Sequence, residues 1–502
     1  MPYKIKAQEF LEISHDFKLG DLPTEQPHHK TKDLSHWSKN DLKKALSSIK
    51  EIELDLFQTT LDKFSHIEQL SLDITKTFQD GGRVFLCGCG ATGRLSLALE
   101  AIWRKTMPES HKVLSFMAGG DVALIHSIEN FEDYPEYGER QLLELGFSES
   151  DLLISCTEGG ETPFVIGATV AASKISKHPT YFLYCNPDDI LCKTVERSKR
   201  VIESSAITKI NLTVGPMVLA GSTRMQASTI LMLAVGCALF EKDKQWLTDL
   251  KSQFEKIDFE VLEELIEKET DIYEASETIL YRTTDELGIS VLTDTTERSP
   301  TFSLQPFESP DEYTSKYSLC YLTLDGITGV LNSWNKLLER DPRTLEWHET
   351  RDLTGLERLK GFDISKDIFE KRKNYIEKID HHFDVYLKDD VLSFSLDGVS
   401  KDIKLSGLNL FAIHIILKIL LNTHSTLVMG RLGRYESNIM TWVRPSNNKL
   451  IDRTIRYILI LLENEGIVKS YDEVCYELFH QMETAGKNEA LVMKTFHSIK
   501  DA

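Results

Sequence analysis

GRVFLCGCGATGR (Gly82–Arg94) is the stretch that decides the fold. A short apolar run, Val84 to Cys87, follows the turn at Asp80-Gly81-Gly82 and reads as a buried strand. A Gly-rich loop comes next and opens a helical pattern running from Arg94 to Lys105. Glycines let a backbone approach an anion closely, and a helix N-terminus presents free N–H groups and partial positive charge. Gly90, Ala91, Thr92 and Gly93 are therefore candidate ligand-binding residues, with Thr92 adding a hydroxyl. The string also satisfies G-x-G-x-x-G. A dinucleotide site needs an acidic residue about 20 residues on, at the end of the next strand; Asp121 is the candidate. A purely structural turn is the third alternative.

Outward from this unit, strand candidates recur at Lys112–Met117, Leu152–Cys156, Thr180–Cys185 and Ile207–Leu212, with helical segments between and after them. Such alternation predicts a parallel sheet covered on both faces. Right-handed crossovers then gather the loops at the strand C-termini on one edge. Those loops are GCGATGR, AGGD, TEGGETP, NPDD and AGSTR. TEGGETP offers Thr157, Gly159 and Thr162; its bland alternative is a helix N-cap with Glu161 complementing the dipole. GSTRM offers Ser222 and Thr223 at the start of an apolar helix.

The chain has 502 residues, too long for one ordinary core of roughly 100–200. Its first 40 residues are polar and read as an extended arm. Residues 41–77 show helical periodicity with a slip between Leu56 and Leu61, and 251–286 reads as an acidic helical bridge. A second α/β region begins at GISVLTD (Gly288–Asp294) and continues through Tyr317–Leu324, Phe383–Leu387 and Val391–Leu396; from Leu408 the pattern is mainly helical. The expected organisation is an arm (1–40), a first domain (41–250), a second, degenerate domain (251–407) and a helical segment (408–502) that completes the second domain and caps the site.

The formal net charge of −20 argues against nucleic acid or an anionic membrane as main partners, but leaves room for a small anion in a local electropositive pocket. The eight cysteines show no C-x-x-C pair, and the start lacks a signal-peptide core, so a reducing cytoplasm is expected. The apolar stretches Thr229–Phe240 and Leu408–Leu421 read as buried helices. His28–His29 and His381–His382 lack metal spacing and read as surface pairs.

At these loops the sequence resembles the sugar-isomerase-type (SIS) proteins, in the branch of N-acetylmuramic acid 6-phosphate etherase and the animal glucokinase regulatory protein. The resemblance rests on LPTEQPHHKTKDLS (Leu22–Ser35), GRVFLCGCGATGRL, FMAGGD, ENFED, YCNP, VGPMVLAGSTRMQAST and LNTHSTLVMGRLGRYESNIMTWVRPSNNKLIDR. A long insertion separates the GSTRM helix from LNTHST, which is similar to the regulatory protein, where two SIS units share one chain. Within it TDTTERSPTF resembles the etherase's D-A-S-E-C-P-P-T-F. The resemblance implies two flavodoxin-like, three-layer α/β domains with parallel sheets and a C-terminal helical cap.

It further implies a phosphorylated sugar as ligand, held by Gly90–Gly93, Thr157–Thr162, Ser222, Thr223 and Lys449, with no cofactor or metal. A sugar kinase is the protein partner it brings in, left open by the residues themselves. The etherase uses two glutamates to eliminate lactate. Glu132 matches one; the other is Ile102 in the first unit, and only Glu297 of the second unit matches it. Gly159, Met217 and Gln226 also replace polar residues of the family. Such losses are more natural in a binder, so the expectation is a non-catalytic sensor or regulator of amino-sugar or hexose phosphate metabolism. An etherase-like lyase and a sugar-phosphate isomerase are the alternatives.

Overall fold

The computed structural model describes residues 2–16, 19–128, 131–309, 317–486 and 489–501. Strands β1 (Val84–Gly88), β2 (Val113–Met117), β3 (Leu152–Thr157), β4 (Thr180–Tyr184) and β5 (Ile207–Asn211) form one sheet in the order β2-β1-β3-β4-β5. Every pair is parallel. β1, β3 and β4 are buried at each position, as strands covered on both faces must be. Alternate residues feed two cores. Val84 and Leu86 pack with Leu70, Leu99 and Ile230, whereas Phe85 and Cys87 pack with Leu142, Phe164 and Phe182. This is the three-layer, flavodoxin-like order, and its connections reverse direction between β1 and β3, where ligands of open α/β sheets bind.

A second sheet holds β6 (Thr278–Thr283), β7 (Cys320–Leu324), β8 (Asp380–Lys388), β9 (Val391–Leu396) and β10 (Val399–Lys404), ordered β10-β9-β8-β6-β7. It is mixed rather than wholly parallel. β6 pairs in parallel with β7 and β8, but β8, β9 and β10 form an antiparallel meander. The turns dictate this: Asp389-Asp390 and Asp397-Gly398 all take positive φ, the geometry that sends a strand straight back beside itself. The segment GISVLTD is not a strand but part of the helix Asp285–Phe302. Buried helix and buried strand look alike over a short apolar run. The strand β6 lies instead at the end of the expected helical bridge.

The first forty residues are also more ordered than their polarity suggests. They include helices Pro2–Ile13 and Leu34–Asn40. The first is held from outside, by Ala7 and Phe10 packing in the core, with Phe10 6.0 Å from Phe479 of the helix Tyr471–Thr484. The long periodic segment divides at Lys63 into Leu42–Asp62 and Phe64–Gln79, just past the expected slip. The helix Leu410–Arg431 is long and apolar enough to cross a membrane, yet its whole apolar window is buried within the protein.

The two sheets are joined through buried charge. Asp294, on the helix Asp285–Phe302, accepts from Arg224 (3.2 Å), from Arg298 (3.1 and 2.8 Å), from Asn422 (3.0 Å) and from Ser425 (2.6 Å). Arg298 also meets Glu269 at 2.5 Å, and Glu269 meets His424 at 2.7 Å. Replacing Asp294 by Ala leaves Arg224 without its carboxylate in a buried site. The expected cost is about 3–5 kcal/mol, read as a lower midpoint in urea unfolding. An unchanged midpoint would show that this junction contributes no net stability.

Candidate functional site

The loops at the C-terminal ends of β1, β2 and β3, with the Gly221–Arg224 turn, surround a cavity of about 480 Å³. Its far side comes from elsewhere in the chain: Glu297 from the helix Asp285–Phe302, Lys449 and Arg453 from the helix Asn448–Asn464, and Thr24 and Glu25 from the N-terminal segment. Residues distant in sequence thus meet at the strand crossover point.

Of the residues singled out from sequence, Gly90, Ala91, Glu132, Gly159, Thr162, Ser222, Thr223, Glu297 and Lys449 all line this cavity. Gly90 holds φ +54°, which favours glycine and lets the chain turn from β1 into the helix. Ser222 is 4% exposed, and its hydroxyl has no hydrogen-bond partner among the described residues. Three candidates serve the loops instead. The Thr92 hydroxyl is turned inward, accepting from the Cys89 N–H at 2.9 Å and donating to the Cys89 carbonyl at 2.8 Å. Gly93 is the close-packing position of the helix, where a Cβ would come 2.5 Å from that of Met117. The Thr157 hydroxyl is buried and pairs with that of Thr162 at 3.0 Å. Of the ENFED motif, Glu129 and Asn130 lie outside the described residues.

Asp121 does not serve a dinucleotide. Its carboxylate is buried and accepts from Arg340 at 2.6 and 3.1 Å and from the Arg343 main-chain N–H at 2.6 Å. Of the histidine pairs, His29 is exposed and His28, His381 and His382 are half-buried. His28 stacks on His29 at 4.7 Å, and His381 bridges Asp397 (2.5 Å) and Glu277 (2.8 Å).

Sequence patterns gave no warning of the ion pairs that line the cavity. Lys449 meets Glu161 at 2.6 Å, and Glu161 also pairs with Arg197. Glu25 takes Arg453 at 2.9 and 2.7 Å and Arg456 at 3.3 Å. Burial opposes ionisation of both carboxyls, but the cations prevail. Arg453 and Arg456 hold Glu25 down to about 2, and Lys449 and Arg197 hold Glu161 down to about 2. Glu297 and Glu158, cavity carboxyls with no ion-pair partner among the described residues, shift the other way. Burial pushes Glu297 up against the pull of Arg94 and Arg224, and burial pushes Glu158 up to about 8. Lys418, which lines a smaller neighbouring cavity with Arg94 and Glu297, is lowered by burial to about 8. The one signal that could have found Glu158 and Glu161 is their place inside a Gly-rich loop at a strand end.

A family model for the glucokinase regulatory protein N-terminal SIS domain matches residues 66–173. The N-acetylmuramic acid 6-phosphate etherase of Picosynechococcus sp. is 31% identical over 227 residues, covering 43% of this chain and 67% of that protein. The etherase of Bacillus mycoides is 31% identical over 223 residues, covering 43% and 69%. Etherase 1 of Bacillus licheniformis is 29% identical over 257 residues, covering 49% and 78%. Among solved structures, a putative phosphosugar isomerase from Silicibacter pomeroyi aligns over 78% of this chain and 98% of its own, at 12% identity and a TM-score of 0.42. The family-model match and the etherase relatives define a SIS-domain protein. Within that class the chain belongs to the family of the N-acetylmuramic acid 6-phosphate etherases.

The paired carboxylates make the cavity wall acid-sensitive. A carboxyl held below its ordinary value of 4.5 stabilises the fold above that value, and the contribution is lost as pH falls through about 2. Each pair supplies on the order of 3 kcal/mol by this linkage. Replacing Glu25 or Glu161 by Gln should flatten the loss of stability between pH 4.5 and 2, measured by urea unfolding at stepped pH. Curves parallel to wild type would show that the acid response originates elsewhere.

Proposed function

We propose that this protein is a phosphosugar lyase of the etherase type, releasing lactate from N-acetylmuramic acid 6-phosphate. The observation that supports it is the convergence of Glu132 and Glu297 on one cavity. Ile102, at the position of the missing first-unit glutamate, is a buried core residue 1% exposed. Glu297 supplies a carboxyl from the second half in its stead.

The phosphate would sit against the Gly90–Ala91 helix start with Thr162, Ser222, Thr223 and Lys449 around it. On the open-chain sugar, Glu132 takes the proton from the carbon next to the carbonyl. The electron pair left behind forms a carbon–carbon double bond as the adjacent ether C–O bond breaks. Glu297, the carboxyl that burial keeps protonated to higher pH, gives its proton to the departing lactate oxygen. Addition of water to the double bond completes the reaction and yields N-acetylglucosamine 6-phosphate. In this proposal residues 41–250 form the first SIS unit, 251–407 the second, and 408–502 complete the second and cap the site.

The second reading is a non-catalytic sensor or regulator of sugar-phosphate metabolism, acting on a partner such as a sugar kinase. Gln226 favours it: its side chain is spent on the loop, accepting from the Val218 N–H at 2.6 Å and donating to the Pro216 carbonyl at 2.8 Å. Incubation with N-acetylmuramic acid 6-phosphate and assay of free lactate separates the two. The lyase should release lactate, and Glu132→Gln and Glu297→Gln should each lower kcat at least about 100-fold. Ligand at 100 times its Kd should still stabilise both variants by about 2.7 kcal/mol. Ligand stabilisation without lactate release would establish the sensor instead.

A further inference from the structure

We propose that Glu158 touches the bound sugar as an uncharged carboxylic acid, donating a hydrogen bond to a sugar oxygen, and that its ionisation weakens binding of the phosphorylated ligand. This rests on the preceding assignment of the cavity to a sugar phosphate.

Glu158 follows β3 directly and lines the cavity. Its loop neighbours are committed to the protein. Thr157 pairs with Thr162 (3.0 Å), the Gly159 carbonyl accepts from Asn186 (3.0 Å), and Glu161 holds Lys449 (2.6 Å). The Oε1 of Glu158, by contrast, is buried with no hydrogen-bond partner among the described residues. A buried carboxyl oxygen left so is costly, and a ligand that satisfies it recovers that cost.

The cations around it have other partners. Lys449 is held by Glu161. Lys418 donates to the Arg224 carbonyl (2.7 Å), Thr229 (2.9 Å) and Asn422 (3.2 Å), and Arg94 to the Leu124 carbonyl (3.0 Å). Besides these, Glu297 faces it from the helix Asp285–Phe302, with Cys89 after β1, Cys156 on β3 and Cys185 after β4. Burial raises all three thiols, so they stay neutral. Burial pushes Glu158 up to about 8 against the pull of its own main-chain N–H, so the acid is mostly uncharged at pH 7. An ionised Glu158 would instead add negative charge beside a phosphate dianion.

Calorimetric binding of N-acetylglucosamine 6-phosphate tests this with wild type, Glu158→Gln and Glu158→Ala. Gln keeps a donor and no charge; Ala removes the donor. The wild-type Kd should rise about tenfold from pH 7 to pH 9, as the neutral fraction falls. Glu158→Gln should change less than about twofold over that range, and Glu158→Ala should bind about tenfold more weakly than wild type at pH 7. Lys418 titrates in all three proteins, so the difference between them isolates Glu158. Equal pH dependence in wild type and Glu158→Gln, or wild-type affinity in Glu158→Ala, would overturn the proposal. No wild-type binding at pH 7 would overturn the sugar-phosphate assignment and this with it. The expected pH pattern without lactate release would uphold Glu158 while removing the lyase.

Discussion

A single buried carboxylate, Asp294, receives guanidinium groups from two directions, and the rest of the molecule is arranged around that meeting. Arg224 arrives from the turn that opens the helix Gln226–Leu239, next to the first sheet; Arg298 comes from Asp294's own helix; Asn422 and Ser425 come from the helix Leu410–Arg431. Buried ion pairs of this kind seldom add net stability over an apolar packing, but they tolerate only one register. Asp294 and Glu297 are three positions apart on one helix, so they share a face. The clamp that joins the two sheets therefore also aims Glu297 into the cavity.

The protein carries a large negative charge, yet Arg94, Arg224, Arg444, Lys449 and Arg453 all line its cavity. Glu25 and Glu161 hold Arg453 and Lys449 in fixed positions at the wall. Lys449, Arg453 and Arg224 are each neutralised by a carboxylate.

The first sheet was legible because its loops repeat one pattern, a short apolar strand followed by Gly, Ser or Thr and then a helix. The loops after β1 and β3 and the Gly221–Arg224 turn do meet at one edge. Hydroxyl direction was not legible. Thr92 and Thr157 look like ligand groups in a string of letters, but a tight turn uses its own hydroxyls to satisfy its own N–H groups. The second sheet was read less well, since GISVLTD has the same apolar content whether wound or extended. The Asp397-Gly398 dipeptide was a local signal for the antiparallel return. Glu158 showed only its place in a Gly-rich loop, and the Glu25–Arg453 pair showed nothing, because their significance depends on burial and on partners far along the chain.

One feature of the cavity bears on how the protein behaves in solution. Glu132 and Glu297 belong to the same polypeptide, and the helices that carry Glu297 and Lys449 are threaded through the core that supports Gly90. A site divided between two separate chains disappears on dilution below their dissociation constant. Here the two contributions are covalently linked, and their effective concentration is fixed by the fold. The cavity should therefore stay complete at any protein concentration, however scarce the molecule is in the cell.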